Sequence, residues 1–269
     1  MKKTFGIAVA VLVMAGTAGC SAGAVTQKAG ESAQTMLAAL ASASDEASKA
    51  GSADISMTVT TPATGGKPLT VKGLYSWGNG RAMETEIPAK DLKMGNMAAD
   101  GTITTRMVGG AYYYEVERMT SGPFKGKSWL KIEASAVMGE KGAAAMAGVQ
   151  GDPTASLKGL KYAKDVTKVG SETVNGTSTV HYRAAIPTDK MGAAADIYGS
   201  IPLTGDVVTD IWVDAKGVPT RLNQAIGTTI TVSVDFLSFG GNRTVEVPPA
   251  ADTGDMTELY KQRTKGGAA

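Results

Sequence analysis

Two periods run along this chain. From Val25 to about Ala50, the residues Ala29, Ala33, Met36, Leu37, Leu40, Ala43 and Ala47 recur at three- and four-residue spacing among Ser, Gln, Lys and Glu. That spacing stacks them on one stripe and predicts an amphipathic helix ending near Gly51. The period then falls to two. Ile55, Met57 and Val59 alternate with Ser56, Thr58 and Thr60, and after a Pro/Gly loop Leu69, Val71, Tyr75 and Trp77 alternate with Thr70, Lys72 and Ser76. Alternation of this kind predicts strands with one wet face. Asn79-Gly80 accepts positive φ, so Arg81 to Ile87 is expected to return as a hairpin partner. Ala89 to Ala99 has no clear period and reads as a loop or short turn of helix. Ile103, Thr105 and Met107 alternate again, Gly109-Gly110 turns, Tyr112 to Val116 pairs back, and Ser128 to Ile132 adds a strand.

Glu133 to Gly148, rich in Ala and Met, reads as a helix weakened by Gly139 and Gly142. Asp152-Pro153 places a capping side chain before a proline, the opening of a short helix through Leu157 and Leu160. A second run of strands is expected over Ala163 to Val169, Val174 to Ile186, Val207 to Val213, Val218 to Ile226, Thr228 to Phe239 and Arg243 to Val247. Turns fall at Asn175-Gly176 and at Asp214 to Gly217, Asp189 to Ser200 is a brief helix or lid-like connection, and Lys265 to Ala269 is a frayed, disordered tail. The order of helix, strands, two helices, strands defines an α+β chain with an antiparallel sheet. Ile230, Val232, Val234 and Phe236 share one face, with Thr229, Thr231, Ser233 and Asp235 on the other. A sheet of roughly ten strands curls, and helices over its apolar side then enclose a cavity. The expected lining is Ile55, Met57 and Val59 of the first strand, Val71 and Tyr75 of the second, and Ile230, Val232, Val234 and Phe236.

The N-terminus has its own logic. Lys2 and Lys3 precede an apolar run from Phe5 to Ala15, and Gly16-Thr17-Ala18-Gly19 leads to Cys20. This is the layout of a secretory signal peptide. The run falls short of the ~20 apolar residues that span a bilayer. The small residues ending in cysteine resemble the lipobox of bacterial lipoproteins, with Thr17 where those proteins usually carry a bulky aliphatic residue. The resemblance implies a signal peptide at 1–19, a diacylglycerol on the thiol of Cys20 as lipid anchor, and a tether over 20–24. A lone exported cysteine has no disulfide partner, and acylation accounts for it.

Composition narrows the function. At 269 residues, 43% hydrophobic and 19% charged, the chain holds enough apolar side chains for a substantial core. Lys2 and Lys3 account for the excess of 27 basic over 25 acidic residues, so the mature net charge is zero. No basic field is left to hold nucleic acid or anionic lipid, and 6% aromatics supply few stacking platforms. One His and one acylated Cys leave no zinc or Cys/His site, and no cofactor is expected. His181 alternates with the polar side of its strand and reads as solvated. Ser128 and Lys131 have the Ser-x-x-Lys spacing of penicillin-binding enzymes, but on a strand they point to opposite faces. Methionines such as Met57, Met83 and Met107 suit an acyl-chain pocket and equally an ordinary core.

Several segments in order resemble actinobacterial lipoproteins of the LppX/LprG type. They are Gly109-Gly110-Ala111-Tyr112-Tyr113, Ser128-Trp129-Leu130-Lys131-Ile132, Asp152-Pro153 through Leu160, and Gly170 to Gly176 with Thr179-Val180-His181-Tyr182. Asp210-Ile211-Trp212-Val213-Asp214 with Gly217-Val218-Pro219, and Phe239-Gly240 to Val247-Pro248-Pro249, complete the set. The resemblance implies a LolA/LolB-like half-barrel, a curved antiparallel sheet with helices across its concave face. It also implies a single lipid-binding domain over 25–264, in a non-enzymatic lipoprotein on the outer face of the cell membrane that holds a lipid or acylated glycolipid; the protein is expected to be monomeric. The alternative from another class is an envelope sensor or interaction module with a protein partner.

Overall fold

Ser32 opens the first helix: its hydroxyl accepts the Thr35 amide at 3.2 Å, and α1 (Ala33–Ala50) runs until Gly51 turns into the left-handed region at φ 71°. The computed structural model describes residues 32–61, 65–92, 94–98, 100–148, 165–190, 205–228, 230–241 and 243–266. The expected signal, Cys20 and its tether, the helix at Asp152 to Leu160 and most of the 189–200 connection lie outside the described residues.

Alternation becomes strand wherever a turn residue lets the chain reverse. β1 (Ser52–Thr60), β2 (Leu69–Ser76), β3 (Ala82–Pro88), β4 (Thr102–Val108), β5 (Ala111–Glu115) and β6 (Trp129–Glu133) form the first run. α2 (Ala134–Gly148) follows, kinked where Gly139 takes φ 77° and ψ 165°. The second run is β7 (Asp165–Val174), β8 (Thr177–Pro187), β9 (Asp206–Asp214), β10 (Pro219–Ile226) and β11 (Ile230–Phe239). β12 (Thr253–Asp255) and α3 (Thr257–Gly266) close the chain. Among the described residues the strands make one open, curved twelve-stranded sheet in the order β12-β6-β5-β4-β3-β2-β1-β11-β10-β9-β8-β7. Neighbours are antiparallel except β12 on β6.

β1 is the seam. Met57 lies opposite Val71 on one side and Val234 on the other, and Val59 opposite Leu69 and Val232. Paired residues share a face, so this register lines up the apolar positions of both runs on one inner surface. α1 lies across the β7 to β11 part of that surface, putting Met36, Leu40 and Ala43 against Ile211, Leu222, Ile226 and Ile230. Trp77 fastens the far end of α1. Its amide donates to Gly51 O at 2.8 Å and its indole Nε1 to Ser48 O at 3.2 Å.

Four sequence expectations change. Arg243 to Val247 forms no strand; residues 243–252 run over the outer face instead, their carbonyls accepting from side chains and a backbone amide. Ser76 Oγ reaches Arg243 O at 2.7 Å, Arg106 Nη1 reaches Glu246 O at 3.2 Å, and Lys127 Nζ reaches Ala251 O at 2.7 Å. The amide of Ser128 donates to Asp252 O at 3.0 Å. Pro248 and Pro249 have no N–H to offer a ladder, which suits the segment to this role. β7 does not stop at Val169, because a register shift between Lys168 and Gly170 lets pairing continue to Val174 through a break in the alternation. The sheet has twelve described strands rather than ten. Lys265 and Gly266 end α3 rather than fraying, a helix whose polar sequence hid its period.

Candidate ligand-binding site

Two hairpin ends and a helix meet in one place. The β2–β3 turn brings Asn79, Gly80 and Arg81, the β4–β5 turn brings Val108, Gly109 and Gly110, and α2 adds Ala143 and Ala147. With Met107, Ala134 and the Thr244–Glu246 strip they line a cavity of about 610 Å³. That is within the ~300–1,000 Å³ of ordinary small-molecule sites. The turns leave room because they are built from glycine: Gly80, Gly109 and Gly110 hold φ of 94°, 60° and 78°, a region where side chains are strained.

The cavity has one cationic wall. Arg81 stands with its guanidinium carbon 5.6 Å from the centre of the Tyr75 ring, and its Nε is buried without a hydrogen-bond partner. Tyr112 lies opposite Met107 and Ile132, and Tyr114 opposite Thr105 and Leu130, so both are on the inner face. Burial raises the Tyr112 hydroxyl, an effect that the positive charge of Arg81 opposes, and pushes Tyr114 up to about 12. Because the folded value lies above the ordinary 10, this group's contribution is whole below pH 10 and is lost as pH rises through about 12. Unfolding free energy is therefore expected to fall between those limits by at most about 1.4 kcal/mol per pH unit from this group. Tyr114→Phe is expected to flatten that segment, measured by urea titrations at stepped pH.

The nine residues named from the alternation occupy the inner face. Ile55, Tyr75, Ile230, Val234 and Phe236 are buried in the main core with α1, and Met57 and Val232 are half-buried against it. Val71 is buried and Val59 half-buried. None of the nine lines the 610 Å³ cavity. Arg81 and the α2 alanines carry no periodic signal in the sequence, the first following a turn and the others lying in a helix without a clear apolar stripe. Cys20 lies outside the described residues.

His181 differs from its expected solvated state. It is 6% exposed, stacked on Trp212 at 4.1 Å and 17°, with Nδ1 2.9 Å from Glu172 Oε1 and Nε2 2.7 Å from Asp210 Oδ1. The Trp212 indole donates to Glu172 Oε2 at 2.9 Å, and this bond with that to His181 holds the Glu172 carboxyl below the usual carboxylate range. Arg183 pairs with Asp210, and Arg221 with Asp235. The group clamps β7 to β11 on the outer face, away from the cavity.

The open, curved sheet with its helices is a fold shared with solved lipoproteins. Among solved structures, the chain matches lipoprotein LppX of Mycobacterium tuberculosis at TM-score 0.52 and 14% identity, over 80% of this chain and all of that one. LprF of Mycobacterium bovis matches at 0.53 and 13%, over 81% of this chain and 99% of the other. What is shared at such identities is the fold. By sequence, an uncharacterised 31.2 kDa protein of Streptomyces griseus is 24% identical over 225 residues, 73% of this chain and 70% of that one. A Streptomyces coelicolor protein named as a candidate lipoprotein is 33% identical over 110 residues, 40% of this chain and 33% of its own. No protein-family model matches the chain.

Proposed function

We propose that this chain is a non-enzymatic lipoprotein of the cell envelope, anchored to the outer face of the membrane through Cys20, that shields the acyl part of a lipid or acylated glycolipid from water. The observation that carries the reading is the 610 Å³ cavity walled by Met107, Val108 and small α2 side chains, in a fold shared with two lipoproteins. Each methylene moved out of water is worth about 0.8 kcal/mol, so a chain of modest length suffices for tight holding. Half-buried Met57, Val59 and Val232 lie outside that cavity, and an acyl chain longer than it holds is proposed to continue onto them along the inner face.

Protein lacking residues 1–20, purified from an envelope-containing host, is expected to carry lipid-sized adducts in native mass spectrometry. Ala143→Phe, which fills the cavity from α2, is expected to cut the loaded fraction about fivefold or more if the side chain displaces a few methylenes. Adduct-free protein from several hosts, taking up no lipid from vesicles, would sink the reading.

A further inference from the structure

We propose that Arg81 is a head-group residue, and that the cavity selects an acidic lipid with a single negative charge, a carboxylate or phosphodiester on an acyl chain. The inference rests on the lipid-holding reading above and specifies its substrate class. Arg81 sits just beyond Gly80, at the mouth of the β2–β3 hairpin end. Among the described residues no carboxylate pairs with it, and its Nε is buried with nothing to donate to. One face of the guanidinium is occupied by the Tyr75 ring. Its edge, with N–H groups in a fixed fork, remains for a ligand.

A half-buried cation of this kind is costly unless an anion meets it. The guanidinium fork matches two oxygens of a carboxylate or phosphate group, with the short bonds of a charge-assisted pair. Beside it the walls turn apolar through Ala82, Met107, Val108, Ala134 and Ala143. At ~30 Å³ for a group the size of a water, the volume takes about twenty such groups, enough for a head and a chain. A free anion would leave those walls unused, so the shape favours a lipid over inorganic phosphate.

Glu246 sets the charge limit. Glu246 also lines the cavity, its carboxylate accepting from Thr244 Oγ1 at 3.1 Å, and among the described residues it makes no pair with Arg81. A head with two negative charges would meet this second carboxylate; a head with one is balanced by Arg81. With a mature net charge of zero, the preference is local and comes from this pair of side chains rather than from a field over the surface.

The test uses the mature chain with fluorescent phosphatidylglycerol, phosphatidylcholine and phosphatidic acid of matched acyl chains, and inorganic phosphate as competitor. Wild type is expected to prefer phosphatidylglycerol over phosphatidylcholine by roughly ten- to a hundredfold, the range of one charge-assisted contact. Arg81→Gln is expected to abolish that preference, and Arg81→Lys to keep part of it. Glu246→Gln, at an exposed residue and so safe for folding, is expected to improve phosphatidic acid binding several-fold. A preference that survives Arg81→Gln, or phosphatidic acid binding indifferent to Glu246→Gln, overturns the assignment while leaving lipid holding intact. Displacement of phosphatidylglycerol by millimolar phosphate overturns it in favour of a free-anion site. Failure of wild type to bind any of the three lipids removes the broader reading instead.

Discussion

Cys20→Ser is expected to move the protein from the membrane fraction to the soluble one. The small residues over Gly16 to Gly19 lead to a single cysteine, and their resemblance to a lipobox implies processing and a diacylglycerol there. The energetics make the effect large. One acyl chain of about fourteen carbons gives only marginal, reversible binding, whereas two together hold a protein stably. Among the described residues no helix is long and apolar enough to cross a membrane. The Phe5 to Ala15 run is also well short of the ~20 residues a span needs. The measurement is fractionation of cells after a carbonate wash, together with the intact mass of the N-terminal peptide. A wild-type protein that is soluble and bears an unmodified N-terminus would end the anchoring reading without touching the fold.

Gly73→Ala is expected to destabilise the fold by about 3 kcal/mol or more, at or beyond the upper end of ordinary overpacking. Gly73 stands opposite Ile55 and Thr85 on the inner face, in the middle of β2. A Cβ there would lie 1.9 Å from the Glu84 carbonyl oxygen and 2.8 Å from the Thr85 Cα. These are backbone atoms of β3, so relief requires parting β2 from β3 and opening the ladder that holds the first run together. A domain of this size loses about 2–4 °C of Tm per kcal/mol, so a drop of roughly 6 °C or more is expected by calorimetry. Gly170→Ala is the control. An added Cβ there meets nothing within 4 Å, and the residue has no positive φ. Lower entropy of the unfolded chain makes the control neutral or slightly stabilising, by about 0.4–1 kcal/mol at most. Equal losses in both variants would mean that β2 and β3 do not approach this closely.

The outer face shows how far neighbouring segments alter a strand's environment. Trp129 and Tyr113 alternate to the side away from the concave core, yet both are buried. Arg106 lies over Trp129 at 4.7 Å, and residues 243–252 pass over the same face. His181 is buried for a similar reason, since Glu172, Asp210 and Trp212 converge on it from β7 and β9. A polar position in an alternating strand thus became dry through contacts made across the sheet.

Local chemistry in the sequence was enough for most of the elements, though not for β12, α3 or the extended 243–247 segment. The α1 stripe at Met36, Leu40, Ala43 and Ala47 became its buried face. Asn175-Gly176 became a turn with φ of 50° and 79°, and the period-two runs became strands, because helix and strand periods and turn chemistry depend on residues a few positions apart. Pairing was decided only in three dimensions. That β1 joins β2 to β11, that β7 continues through a bulge, and that residues 243–252 cross the outer face without a ladder all depend on contacts between segments distant in sequence. The candidate cavity belongs to this second kind: Arg81, Val108, Ala143 and Val245 come from four parts of the chain. No period links those residues, and their common site exists only because the folded sheet brings its hairpin ends beneath α2.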